Sequence, residues 1–282
     1  MAAIDAAALG AALHKACRLD VVAFKPGNVS LCADGHGMVA ADFLASARVA
    51  IPALCRAGSG VGARIEAAVA ATWAAVACNT NLGIVLLLAP LAAAAERGGP
   101  LRAAVQSVLA DLDVTDAELA YAAIRRANPA GLGRAADADV AAPPTIDLRT
   151  AMGLAAARDS IARQYANGYA DVFEVGLATL GAARRRWRSL AWATTACHLE
   201  FMARWPDSHI VRKHGERCAE RVRTRAVEVA TALKACENPR SLAGTLQAFD
   251  SELKTRGVNP GTSADLTVAS AAVLLLQDRF SE

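Results

Sequence analysis

This sequence predicts an all-α protein, a single globular bundle of about ten to twelve helices. Hydrophobic residues make up 54% of its 282 positions, with alanine dominant. Alanine is the best helix former and lets helices approach closely. Aromatics are only 5%, and β-branched runs with strict alternation, the mark of half-buried strands, are scarce. A chain of this length can bury a sizeable core. The same apolar helical texture recurs from end to end, so residues 1–282 read as one domain.

A first helix is expected over 3–18, followed by a polar, glycine-bearing loop over 20–38. A second helix covers about 39–56 and is broken by Gly58-Ser59-Gly60-Val61-Gly62. Such glycine spacing suits a dinucleotide only after a buried strand. Here a helix precedes it, so it reads as a helix-breaking turn. The next helix runs from about 63 to 78 and ends at Asn79. Another opens at Asn81 or Leu82 and carries Pro90, which predicts a kink or stop. Helices follow near 100–111 and 115–127, with Asp113 and Thr115 as candidate caps. Residues 128–147, with Pro129, Gly131, Gly133, Pro143 and Pro144, are expected to form a long surface loop or lid. Helices resume near 148–165, 168–183 and 188–204, then near 210–236, 240–256 and 263–279.

A net charge of +3 argues against nucleic acid as a partner. The basic runs, Arg184 to Arg188 and Arg217 to Arg225, read as solvated helix faces. Seven cysteines (17, 32, 55, 78, 197, 218 and 236) include no C-x-x-C pair. Most are expected to be reduced and buried as small hydrophobes. The longest apolar stretch, Ile84 to Ala95, is shorter than the roughly 20 residues a membrane span needs, so a core helix is expected there. No targeting segment is visible at the N-terminus, and a cytoplasmic enzyme is expected. Alanine-rich helix faces leave room for a homodimer.

Four polar clusters interrupt this texture: Lys25-Pro26-Gly27-Asn28-Val29-Ser30, Asn79-Thr80-Asn81-Leu82-Gly83, Asp207 to Gly215, and Asn259-Pro260-Gly261-Thr262-Ser263-Ala264-Asp265. Each stands beside an expected helix end. Helix N-termini carry free N–H groups and partial positive charge, which suits phosphates. Asp207 or Ser208 can cap a helix on which His209 and Lys213 share one face. His209 and His214 are spaced i,i+5, which disfavours a shared metal. Thr262 or Ser263 can cap the last helix, with Asp265 in its first turn. Taken singly, each cluster could be an ordinary helix boundary.

Together the clusters resemble the triphosphoribosyl-dephospho-coenzyme A synthase family. Patterns of the type K-P-G-x-V, G-x-x-x-E, N-T-N/H-x-G, D-S-H-I-x-R-K-x-G and N-P-G-T-x-A-D-L occur in order at Lys25–Val29, Gly62–Glu66, Asn79–Gly83, Asp207–Gly215 and Asn259–Leu266. The resemblance implies a helical enzyme that expels adenine from C1′ of ATP. It joins the triphosphoribosyl unit to the 2′-hydroxyl of dephospho-coenzyme A, in making the prosthetic group of citrate lyase or malonate decarboxylase. Where typical citrate-lyase members have N-G-A-H-x-D-M, this chain has Asp34-Gly35-His36-Gly37-Met38. Its segments Ile124 to Pro129 and Tyr169 to Glu174 look more like the branch of archaea and one-carbon-metabolising bacteria, in which a different acceptor, for a one-carbon carrier cofactor, is an alternative.

Breaking an N-glycosidic bond builds positive charge on the ribose, as in glycoside hydrolysis. The resemblance therefore assigns catalysis to Glu66, Asp207, His209 and Asp265. It assigns nucleotide binding to Lys25, Asn28, Asn79, Asn81, Arg212, Lys213, Asn259 and Thr262. Mg²⁺ is the expected cofactor, held by Glu66, Asp171 and Asp265, with ATP as substrate. A nucleotide hydrolase or phosphotransferase, or a non-catalytic nucleotide-binding protein, are the competing readings. Product separates the transferase from the hydrolase or phosphotransferase: adenine against ADP or AMP.

Overall fold

Two helices that are apolar on nearly every side form the middle of the molecule. In the computed structural model, which describes residues 4–135 and 137–279, these are α4 (Leu82–Arg97) and α14 (Gly261–Arg279). Around them, in chain order, stand α1 (Ala6–Val22), α2 (Ala40–Leu54), α3 (Val61–Val76), α5 (Leu101–Ala110), α6 (Val114–Ala127), α7 (Leu148–Ala155), α8 (Ser160–Asn167), α9 (Leu177–Trp187), α10 (Leu190–Arg204), α11 (Ser208–His214), α12 (Glu216–Ala235) and α13 (Ala243–Thr255). A π-helical turn, Asp171–Gly176, leads into α9. The described residues contain no strand.

The class is as expected, but the described residues hold fourteen α-helices rather than ten to twelve. Two expected helices are each split. The stretch 148–165 breaks at a turn before Asp159, whose carboxylate caps α8 by accepting from Ile161 and Ala162. The stretch 210–236 breaks at Gly215, where φ is +81°. Residues 1–3, 136 and 280–282 lie outside the described residues, so the start of the first expected helix and one position of the 128–147 loop are not compared.

Pro90 does not stop α4. A helical proline removes the hydrogen bond to the carbonyl four residues back, here Leu86. Two buried tyrosines from α8 and the residues just after it fill the gap. Tyr165 donates to Leu86 O at 2.6 Å and Tyr169 to Leu87 O at 2.9 Å. The glycine-rich turn is a structural joint. Buried Arg64 donates to Leu54 O and Ser59 O and pairs with Glu96, which also accepts from Gly58 N at 2.7 Å. Of the seven cysteines, three (Cys17, Cys197 and Cys218) are buried and Cys32 is exposed, so fewer are core residues than composition suggested. Among the described residues no single helix is long and apolar enough to cross a membrane.

Candidate active site

The first turns of α4, α8, α11 and α14 open onto one cavity of about 800 Å³. Three of the four polar clusters meet there through Asn79–Gly83, Ser208–Lys213 and Asn259–Asp265, and the fourth contributes Asn28. Residues 128–135 and 137–140 of the long loop form another wall. Tyr121 holds that loop by donating to Ala138 O at 2.7 Å, and Arg212 donates to Ala130 O at 3.1 Å.

Asp265, partly buried in the first turns of α14, lines the cavity. It makes no hydrogen bond or ion pair among the described residues, yet space is made for it. A methyl group at Gly83 would stand 2.1 Å from Asp265 Oδ2, so only glycine lets the carboxylate lie against the start of α4. Burial and then the nearby Asp20 carboxylate raise the Asp265 pKa well above the ordinary carboxylate range, against the opposing pull of Lys25. His209 is placed by a similar device, since a methyl group at Gly261 would meet its Nδ1 at 2.5 Å. Burial, then Arg212, Lys213 and the more distant histidines, push the His209 pKa down to about 3. Its imidazole is therefore neutral at pH 7 and able to accept a proton.

Of the residues singled out in the sequence, Asn28, Asn79, Asn81, His209, Arg212, Lys213, Asn259, Thr262 and Asp265 all line the cavity. Asn79 Oδ1 accepts from Leu82 N at 3.2 Å, and Asn81 Nδ2 donates to Thr72 at 3.1 Å. Lys213 is exposed and has no ion pair among the described residues.

Four expected site residues do not line the cavity. Glu66 lies on α3 and pairs with Arg126 of α6 at 3.2 Å. Asp171 is held by Arg163 at 2.7 Å and Gln164 at 2.6 Å. Lys25 is fully buried, paired with Asp20 and bonded to Asn28 Oδ1 at 2.6 Å. Asp207 is buried with both oxygens engaged. Oδ1 caps α11 by accepting from His209 and Ile210, and Oδ2 accepts the N–H and hydroxyl of Ser263, each at 2.7 Å. The cap for α14 therefore comes from another helix, not from Thr262 or Ser263. Asp207 fastens α11 to α14 and so fixes His209 relative to Asp265.

Sequence reasoning passed over Asp20, Asp159, Asp250 and His198. Asp20 and Asp159 line the cavity. Asp250 accepts from Gly27 N at 2.8 Å and pins the first cluster to α13. His198 is wholly buried with Nε2 3.3 Å from Pro26 O. A signal existed for Asp20: it continues the buried stripe Leu9, Leu13, Ala16 of α1 and sits near a helix C-terminus, where the dipole disfavours an acid.

Helix first turns, cations, amides and carboxylates around a single cavity are what an all-helical, nucleotide-using enzyme needs. The CitG family model, ATP:dephospho-CoA triphosphoribosyl transferase, matches residues 6–282. The chain belongs to this family, whose members transfer a triphosphoribosyl group from ATP. It is similar to a crystal structure from Archaeoglobus fulgidus with the provisional name triphosphoribosyl-dephospho-coA synthase, with a TM-score of 0.64 and 26% identity over 83% of this chain and 97% of that one. Among curated proteins no sequence matches it significantly.

Proposed function

We propose that this cavity is where the C1′–N9 bond of ATP breaks and the triphosphoribosyl unit passes to dephospho-coenzyme A. The observation that supports it best is Asp265, a carboxylate without a partner, set among helix first turns and cations on the wall that also carries His209. In this reading the triphosphate lies against Arg212, Lys213 and the first turns of α4 and α14. Burial favours the protonated Asp265 carboxyl in the empty site; positive charge brought or developed beside it favours the ionised form, which opposes the charge that develops at C1′. Adenine takes the bond's electron pair and a proton from water, matched by the proton that the acceptor hydroxyl gives up. His209, neutral at rest, accepts the proton of the acceptor hydroxyl as its oxygen bonds to C1′. The apolar part of the wall, with Phe43, Trp73, Leu86 and Met152, suits the pantetheine arm of the acceptor. The wall of residues 128–135 and 137–140 acts as the lid. Glu66 and Asp171 have no part in this reading, and Lys25 and Asp207 act by positioning others.

A nucleotide-bound Mg²⁺ takes one or two protein carboxylates and completes its shell with phosphate oxygens and water. Asp265, uncommitted, fits that need; Asp159, close enough to influence it, caps α8 through Oδ1 and pairs with Arg212 through Oδ2 at 3.6 Å. When bound, the ion supplies charge neutralisation on the phosphates. Use of ATP fits a cytoplasmic site of action.

Mass spectrometry of products from ATP, Mg²⁺ and dephospho-coenzyme A tests the reading. Free adenine and a triphosphoribosylated acceptor are expected, and formation of ADP or AMP instead would sink it. Asp265→Asn is expected to lower adenine release by more than about 100-fold while leaving the protein folded.

A further inference from the structure

A row of four side chains behind the cavity wall has a polarity that its innermost member dictates. Lys25 is fully buried, and an ammonium can only donate. It donates to the Asp20 carboxylate and to Asn28 Oδ1 at 2.6 Å. The Asn28 oxygen is thereby fixed toward Lys25, which turns its amide nitrogen toward Asn259 Oδ1, 3.1 Å away. Asn259 must then present its own nitrogen elsewhere. The row ends in an acceptor and a donor, both on the cavity wall. Asp20 Oδ2 and Asn259 Nδ2 have no hydrogen-bond partner among the described residues, although Asp20 is only 2% exposed and Asn259 only 8%. Neither atom is sealed from the cavity, so a ligand there can complete their hydrogen bonds.

The two ends call for a neutral ligand that both donates and accepts. A phosphate would be repelled by Asp20. Ribose hydroxyls offer both functions, and a hydrogen bond from a hydroxyl to a carboxylate strengthens as charge builds on the sugar ring. We propose that Asp20 accepts a hydrogen bond from a ribose hydroxyl of a bound substrate and Asn259 donates to a neighbouring ribose oxygen, with Lys25 as the positioning residue that orients both. This inference rests on the transferase reading. Either the ribose of ATP or that of the acceptor supplies the hydroxyl.

The test compares kcat/KM for ATP, 2′-deoxy-ATP, 3′-deoxy-ATP and inosine triphosphate, and for dephospho-coenzyme A against its 3′-deoxy analogue. The wild-type protein is expected to lose at least about 100-fold on removal of one hydroxyl. A loss among the ATP analogues assigns the donor ribose; a loss with the acceptor analogue assigns the other. The double variant Asp20→Ala, Lys25→Met removes both charges together, so no lone buried ion remains. Its discrimination is expected to shrink to below about 5-fold, whereas a merely structural role would slow every substrate alike and keep the ratio. Asn259→Ala provides a second reading of the same ratio should the double variant not fold. Wild-type indifference to all three hydroxyls overturns the proposal, as does discrimination against inosine triphosphate alone or an unchanged ratio in a folded variant. Adenine release without hydroxyl preference would defeat this inference only; no adenine release from ATP with any acceptor would defeat the transferase reading with it.

Discussion

Gly83 and His198 show how much depends on single positions. Gly83→Ala puts a methyl group where Asp265 Oδ2 now lies. The carboxylate must move, and we expect kcat/KM for adenine release to fall by about 100-fold, with circular dichroism showing the helices intact. His198 bears on stability instead. Burial, and then Lys25, hold its pKa down to about 3, against 6.5 for a free imidazole. The unfolded chain therefore binds more protons than the folded one between these values. The contribution to stability is complete above about pH 6.5 and is lost as pH falls toward 3, by up to about 1.4 kcal/mol per pH unit. Urea midpoints at pH 7 and pH 5 should thus differ less in His198→Gln than in the wild type. An equal difference would show that other groups cause the acid sensitivity.

Helices and loops here are tied by side chains that reach across the chain. α4 continues past Pro90 because α8 supplies the donor that the proline lacks. Tyr165→Phe leaves Leu86 O buried without that donor and should cost about 1–3 kcal/mol, read as a lower denaturation midpoint at unchanged slope. The wall of residues 128–135 and 137–140 has a comparable tie in Tyr121, whose hydroxyl donates to Ala138 O. If this wall is the lid over bound nucleotide, Tyr121→Phe should raise KM for ATP several-fold and change kcat less. A rise confined to kcat would place the loop's role elsewhere.

Across the molecule, the cavity is assembled from segments far apart in sequence, so ligand binding should stabilise the whole fold. At a concentration 100 times its Kd, ATP with Mg²⁺ should add about 2.7 kcal/mol, seen as a rise of several degrees in Tm. Chelating the metal should reduce that rise, and Asp265→Asn should abolish the part that depends on metal. A Tm indifferent to Mg²⁺ would remove the ion from the proposal.

What the sequence determined by itself was local or compositional. Alanine content and helical periodicity gave the all-α class. The turn and capping residues gave the polar clusters, which line the cavity through Asn79, Asn81, His209, Arg212, Lys213, Asn259, Thr262 and Asp265. Only the tertiary structure decided which charges face the cavity. A carboxylate reads alike in one dimension whether it is spent on an arginine, as Glu66 and Asp171 are, caps two helices, as Asp207 does, or stands free, as Asp265 does. The partners that separate these fates lie dozens of residues away in Arg126 and Ser263, and on the preceding helix in Arg163. The same holds for Lys25, a loop lysine by sequence, which the packing of α1, α10 and α13 around its loop converts into the buried end of an ion pair with Asp20.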